Sequence, residues 1–137
     1  MYLDVCETVS KMSFAKRAQV GAILVKDDNI IGIGWNGMPS GFENVCEKNG
    51  VTKPEVLHAE SNCISKVAKS SYSSLGSTMY ITISPCMDCA KLMIQSGVSR
   101  VVYKNFYRDE KVLDFLLKCG IIIEKYDFKS KKAFNGF

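Results

Sequence analysis

TMYITISPCMDCAKLMIQSGVSRVVYK, residues 78–104, reads as strand, helix, glycine, strand. TMYITIS (78–84) is rich in β-branched and aromatic residues, and Pro85 suits a first helical turn because it gives up no needed N–H. CMDCAKLMIQS (86–96) has helical spacing and stops at Gly97, the residue that most easily takes the left-handed turn after a helix. VSRVVYK (98–104) is the next strand. The pattern repeats in DEKVLDFLLKC (109–119), Gly120 and IIIEKYDF (121–128). Strands alternating with helices in this way predict parallel neighbours in one sheet.

Upstream, HAESNCISKVAKS (58–70) reads as a helix and SSYSSLGS (70–77) as a polar connection. QVGAILVK (19–26) and NIIGIGWN (29–36) are apolar, β-branched runs joined through Asp27-Asp28-Asn29, residues that tolerate positive φ, so they predict an antiparallel hairpin. Over residues 1–18, Leu3, Val5, Cys6, Val9 and Met12 recur at the spacing of an amphipathic helix. Residues 36–57, with Gly37, Pro39, Gly41 and Gly50, read as a loop, and one so long inside a compact domain is usually functional or partly disordered. The expected architecture is α/β: a single three-layer α/β/α domain over residues 1–137, with a mixed sheet of about five strands.

Composition narrows the setting. With 47% hydrophobic and 23% charged residues the chain belongs with folded soluble proteins, and no apolar run approaches the roughly 18–20 residues that span a bilayer. The N-terminus lacks the basic start and apolar middle of a signal peptide, so a cytoplasmic protein is expected. In that reducing compartment the six cysteines are thiols or metal ligands rather than a disulfide framework. Cys63 and Cys119, among apolar neighbours, are expected to be buried; Cys6 and Cys46 stay open. The net charge of +4 has its excess largely in the tail KSKKAFNGF, which suits an anionic small molecule better than duplex nucleic acid.

Chemistry concentrates at two helix starts. Cys86 and Cys89 are three residues apart on a first turn, where the positive end of the helix dipole favours thiolate, the form that binds metal. A C-x-x-C pair also fits a redox dithiol or a structural zinc knuckle, but no second C-x-x-C or spare histidine is present to close a four-ligand site. His58, the one histidine, begins its helix as Cys86 does, and such helix starts share the carboxyl edge of a parallel sheet. One imidazole and two thiolates leave Zn²⁺ neutral with a fourth position open for water, the mark of a catalytic site. Glu60 is two residues from His58 and would point away on a regular helix; with His58 at the helix boundary both can face the metal, and Glu60 can then move the water's proton.

An H-x-E and P-C-x-x-C pairing is the signature of zinc-dependent nucleobase deaminases. The segments HAESNCI, SPCMDCAKLMIQSGVSRVVY and RAQVGAILVKDDNIIGIGWNGMPSGF resemble the deoxycytidylate (dCMP) deaminase family within the cytidine deaminase superfamily. The resemblance implies a cytidine-deaminase-like fold and a hydrolase acting on the C–N bond of a cyclic amidine. It would convert dCMP to dUMP and ammonia by attack of water at C4, supplying dUMP for thymidylate synthesis. It implies one zinc per chain on His58, Cys86 and Cys89, with Glu60 as proton shuttle, Ala59 and Ser84 touching the pyrimidine edge through their backbone, and Asn36 at the sugar. It further implies a homo-oligomer, a hexamer, activated by dCTP and inhibited by dTTP, with Mg²⁺ accompanying the triphosphate. Gly34, Trp35, Asn36 and Gly37 would help form that regulatory site, although Trp35 stands where the family commonly has tyrosine.

Several of these residues have plainer readings. Asn36 also suits a turn before Gly37, and Trp35 suits a partly buried aromatic closing the hairpin. A monophosphate would favour a cationic pocket, for which Arg17 and Lys91 are candidates; taken singly, each reads more readily as a solvated surface cation. Two other functions compete with the nucleotide deaminase. A deaminase of a base within RNA or DNA, such as a tRNA adenosine deaminase, needs a basic, aromatic-lined surface that this charge pattern does not suggest. A non-catalytic zinc module would have no use for Glu60.

Overall fold

The computed structural model describes residues 1–107, 109–127 and 132–135. Helix α1 spans Tyr2–Ser10, and strands β1 (Gly21–Lys26) and β2 (Asn29–Trp35) form the first hairpin. A two-stranded ribbon, β3 (Glu47–Lys48) and β4 (Val51–Thr52), interrupts the long connection to α2 (Ala59–Ala68). Then follow β5 (Thr78–Ile83), α3 (Met87–Gln95), β6 (Arg100–Asn105), α4 (Glu110–Lys118), β7 (Ile122–Asp127) and β8 (Lys132–Asn135). The main sheet has the order β2-β1-β5-β6-β7-β8, with β5, β6 and β7 parallel and the remaining pairings antiparallel.

The expected mixed sheet is thus present, extended by β8 at one edge. Strand β8 falls in the basic tail KSKKAFNGF, whose sequence predicts no strand because it lacks the apolar alternation of a half-buried one. Phe128, placed in the last expected strand, lies outside the described residues.

Alternation along the central strands builds two cores. Ala22, Leu24, Met79, Ile81, Val101 and Tyr103 face one way and pack under α2, α3 and α4. Ile23, Val25 and Val102 face the other way, against Leu3, Cys6 and Val9 of α1. Helix α1 is shorter than its apolar spacing suggests. Met12 is exposed, and the backbone N–H groups of Lys11, Met12 and Ser13 bond three residues back, tightening the helix to its end.

Both hairpins turn on left-handed residues. Asp27 and Asp28 have φ of 50° and 61°, a two-residue turn of the kind that matches strand twist, and Asn29 already belongs to β2. Asn49 and Gly50, at φ 55° and 75°, make the β3–β4 turn. That Asn-Gly pair was the overlooked hairpin signal within residues 36–57.

Gly34 fixes where α2 begins. A Cβ at this position would stand 2.4 Å from the Ala59 carbonyl oxygen and 2.5 Å from the Cys63 nitrogen, both backbone atoms. The bare strand lets α2 lie directly on β2, with its first residue beside His58. Gly34→Ala should therefore destabilise the protein by about 3 kcal/mol, the upper range for an overpacked core, read as a lower midpoint in urea with unchanged slope. An unchanged midpoint would contradict this packing.

Candidate metal centre and active site

Two chain reversals at the carboxyl edge of the sheet build the site. After β5 the chain runs through Ser84 and Pro85 to Cys86, which is the N-cap of α3 in extended conformation (φ −80°, ψ 171°). Pro85 precedes the cap, and Met87 is the first helical residue. This corrects the placement of Pro85 and Cys86 in the first turn, whereas Cys89 does lie there. Cys89 is the third helical residue, and an N-cap side chain naturally reaches towards that position, as in a capping box. His58 caps α2 in the same way (φ −73°, ψ 156°). Its side chain is therefore not bound to the helical rotation.

The three donor atoms converge. His58 Nδ1 lies 3.4 Å from Cys86 Sγ and 3.3 Å from Cys89 Sγ, and all three ligand atoms fall within 4.8 Å of one another. Zinc bonds of about 2.0–2.1 Å to nitrogen and 2.3 Å to sulfur, at a tetrahedral angle, separate the two by roughly 3.5 Å. The trio fits Zn²⁺ in donor type and spacing, with Nδ1 as the histidine ligand.

Charge within the trio favours metal as well. Hydrogen bonds from Cys89 and then His58 hold the Cys86 thiol down to about 4, while its bond to Cys86 followed by burial pushes the Cys89 thiol up. His58 is raised, chiefly by its bond to Cys86. The protons shared among these groups are those a metal displaces on binding.

Glu60 is the second helical residue of α2, only 4% exposed. Burial pushes its carboxyl up to about 7, and it is hydrogen-bonded to Cys89. A buried acid with this poise at neutral pH can both accept and deliver a proton.

A cavity of about 470 Å³ opens beside the trio, a usual size for a small-ligand site. His58, Ala59, Glu60, Ser84, Asn36 and Arg17 all line it, so the sequence candidates for metal, proton and substrate share one space. Asn36 is braced on both sides of its amide: Oδ1 accepts from Val20 N at 2.9 Å, and Nδ2 donates to Ala18 O at 2.7 Å. Arg17 Nη1 reaches Thr52 Oγ1 at 3.5 Å, and Glu47 accepts from the backbone N–H of Lys16 at 2.9 Å. These bonds hold the β3–β4 ribbon against residues 15–18 as one wall.

Other residues fall elsewhere. Lys91 pairs with Asp88 at 3.3 Å on the surface of α3, outside the cavity. Gly34, Trp35 and Gly37 do not line the cavity; the Lys66 ammonium lies 4.1 Å above the Trp35 ring. Cys63 is buried as expected, but Cys119 is exposed where it caps α4, a correction to the apolar-neighbour reading. Cys6 and Cys46 are buried, and Cys6 Sγ donates to the Tyr80 carbonyl at 3.2 Å. The cavity residues missed by sequence include Thr52, Met87, Tyr107 and Asp109. Tyr107 lies two residues past the carboxyl end of the parallel strand β6, a region where α/β sites gather, and could have been found on that ground.

A mixed α/β sheet carrying one imidazole, two thiols and a buried carboxylate at adjoining helix starts defines a zinc-dependent hydrolase of the nucleobase-deaminase class. Residues 1–105 match the family described as the cytidine and deoxycytidylate deaminase zinc-binding region. The chain belongs to that family. It is 42% identical over 134 residues to human deoxycytidylate deaminase, covering 88% of this chain and 74% of that protein. The crystal structure of dCMP deaminase from cyanophage S-TIM5, in complex with dCMP and dUMP, superposes with a TM-score of 0.88. That protein is 48% identical, with 90% of this chain and 93% of the other covered. A tRNA-specific adenosine deaminase from Buchnera aphidicola is 36% identical over 115 residues, covering 82% of this chain and 69% of that protein. No helix among the described residues is long and apolar enough to cross a membrane.

Proposed function

We propose that this chain is a zinc-dependent dCMP deaminase, a single catalytic domain that hydrolyses dCMP to dUMP and ammonia. One observation carries the reading: His58, Cys86 and Cys89 converge beside buried Glu60 at a nucleotide-sized cavity. The 48% identity to a dCMP deaminase crystallised with dCMP and dUMP supports the substrate. His58 Nδ1 and the two sulfurs would hold the zinc, which would supply the Lewis acidity that activates water near neutral pH. Glu60 takes a proton from the attacking water and returns it to the amine leaving C4. Ala59 and Ser84 bound the pyrimidine edge through their backbone, and Asn36, whose amide is already rigid, meets the sugar.

Arg17 is the cation that lines the cavity among the described residues, so it is the group for the phosphate. A phosphate with close to two negative charges gains charge-assisted bonds that a nucleoside cannot. Incubating the protein with dCMP, dCTP, deoxycytidine, CMP and a structured tRNA, and following ammonia release, tests the reading. dCMP is expected to be preferred, with Arg17→Ala narrowing its lead over deoxycytidine. Reaction with the tRNA alone would transfer the chain to the nucleic-acid deaminases.

Regulation belongs to the same proposal: a cytoplasmic homo-oligomer, a hexamer, activated by dCTP and inhibited by dTTP, each with Mg²⁺. The segment Gly34 to Gly37 is bonded to the site it would control. Gly37 and Leu57 exchange backbone hydrogen bonds of 3.1 and 2.8 Å immediately before His58, and Asn62 Nδ2 donates to the Trp35 carbonyl at 3.0 Å. An effector base stacking on Trp35 would use the ring face away from Lys66 or displace it. Coupling of ~1–3 kcal/mol would shift affinity about 5–150-fold. dCMP saturation curves with Mg²⁺ and dCTP, with Mg²⁺ and dTTP, and with neither should therefore separate; superimposable hyperbolas would refute regulation.

A further inference from the structure

Ser84 leaves β5 two residues before Cys86 and is only 4% exposed. Its Oγ accepts from the backbone N–H of Tyr107 at 2.7 Å and donates to the Tyr107 carbonyl at 3.2 Å. Its own N–H donates to the Asn105 carbonyl at 2.9 Å, at the end of β6. A serine hydroxyl has one hydrogen to give, and this one is committed to Tyr107. The side chain is therefore occupied with the chain itself and offers no donor to a substrate.

What it holds is a cavity wall. Tyr107 lines the same space as His58, Glu60 and Cys86, yet is 47% exposed, so apolar burial supplies only part of its hold. A buried hydroxyl bonded to both backbone groups of one residue fixes that residue's position far more tightly than a surface loop would otherwise be fixed. We propose that the Ser84 hydroxyl is a positioning residue for substrate: it staples Tyr107 to the end of β5, so that the tyrosine forms the face against which the pyrimidine packs. Flat bases are gripped by aromatic side chains in this way when enzymes hold them for chemistry. The inference deepens the reading of this cavity as a pyrimidine nucleotide site and rests on it.

The test compares wild type, Ser84→Ala, Tyr107→Ala and the double variant. It measures zinc content, kcat and KM for dCMP, and amide hydrogen exchange at Tyr107. Ser84→Ala should keep its zinc, raise KM roughly 5–50-fold, the worth of one or two hydrogen bonds, and speed exchange of the Tyr107 amide. Its kcat should stay within about 3-fold, because the lost contact is binding rather than chemistry. Tyr107→Ala should raise KM too, and adding Ser84→Ala to it should change KM by less than about 2-fold, since the two act as one unit. A merely structural serine would lower kcat through fewer active molecules and leave KM alone, which would overturn the proposal. So would additive KM effects, a Tyr107→Ala variant with unchanged KM, or a Tyr107 amide exchanging in Ser84→Ala as in wild type. Should Ser84→Ala not fold, Ser84→Cys, whose thiol is only a weak donor and acceptor, takes its place with the same expected and contrary results. If wild type ignores dCMP, the functional reading fails first, and amide exchange still judges the staple.

Discussion

Glu60→Gln is expected to hold zinc as the wild type does while dCMP turnover falls by at least about 10²–10⁴-fold, the usual worth of a general acid–base group. Glutamine fills the same buried space and keeps a carbonyl oxygen, so the packing of α2 on β2 has no reason to change. It cannot accept a proton at neutral pH, and here that capacity is what the fold has prepared. Burial holds the carboxyl at about 7, so protonated and ionised forms are both accessible at neutral pH. Zinc content by atomic absorption and single-turnover dUMP formation would check this. Loss of zinc along with activity would mean that Glu60 supports the ligands rather than moving protons.

The second large effect is on the metal itself. Cys89→Ala should abolish stoichiometric zinc and deamination together, because two remaining ligands cannot close a site that already leaves one position open. Cys89 is 2% exposed, so alanine also trims a packed sulfur, costing part of a buried side chain's contribution. The exposed Cys119 supplies the control: Cys119→Ala should retain both zinc and turnover. Full activity in zinc-free Cys89→Ala would remove the metal from the mechanism.

The residues proposed as zinc ligands and as proton shuttle could be picked out because such chemistry is written in local spacing. His58, Glu60, Cys86 and Cys89 sit at helix starts that a strand-to-helix reading places on one edge of the sheet. Strands 78–84 and 98–104 showed themselves through their β-branched and aromatic content between helix and turn signals. The misses have local causes too. β8 pairs at an edge, where one neighbour suffices and apolar alternation is not required. Cys119 follows the apolar stripe of α4, but it lies at the C-cap, beyond the face that stripe buries. The bond from Ser84 to Tyr107 spans 23 residues, and no periodicity reports a contact made by two adjacent strand ends. Gly34, grouped with a regulatory segment on resemblance, is the floor of α2, a packing role that only the folded structure reveals.

The central claim is that one zinc, held by His58, Cys86 and Cys89, makes this chain a deaminase of dCMP. Titrating Zn²⁺ into chelator-stripped protein, while recording bound zinc and dUMP formed from dCMP, addresses it directly. Activity should rise in proportion to bound metal and level off near one zinc per chain. Full dCMP deamination by the stripped protein, or none by the zinc-replete protein, would contradict the account.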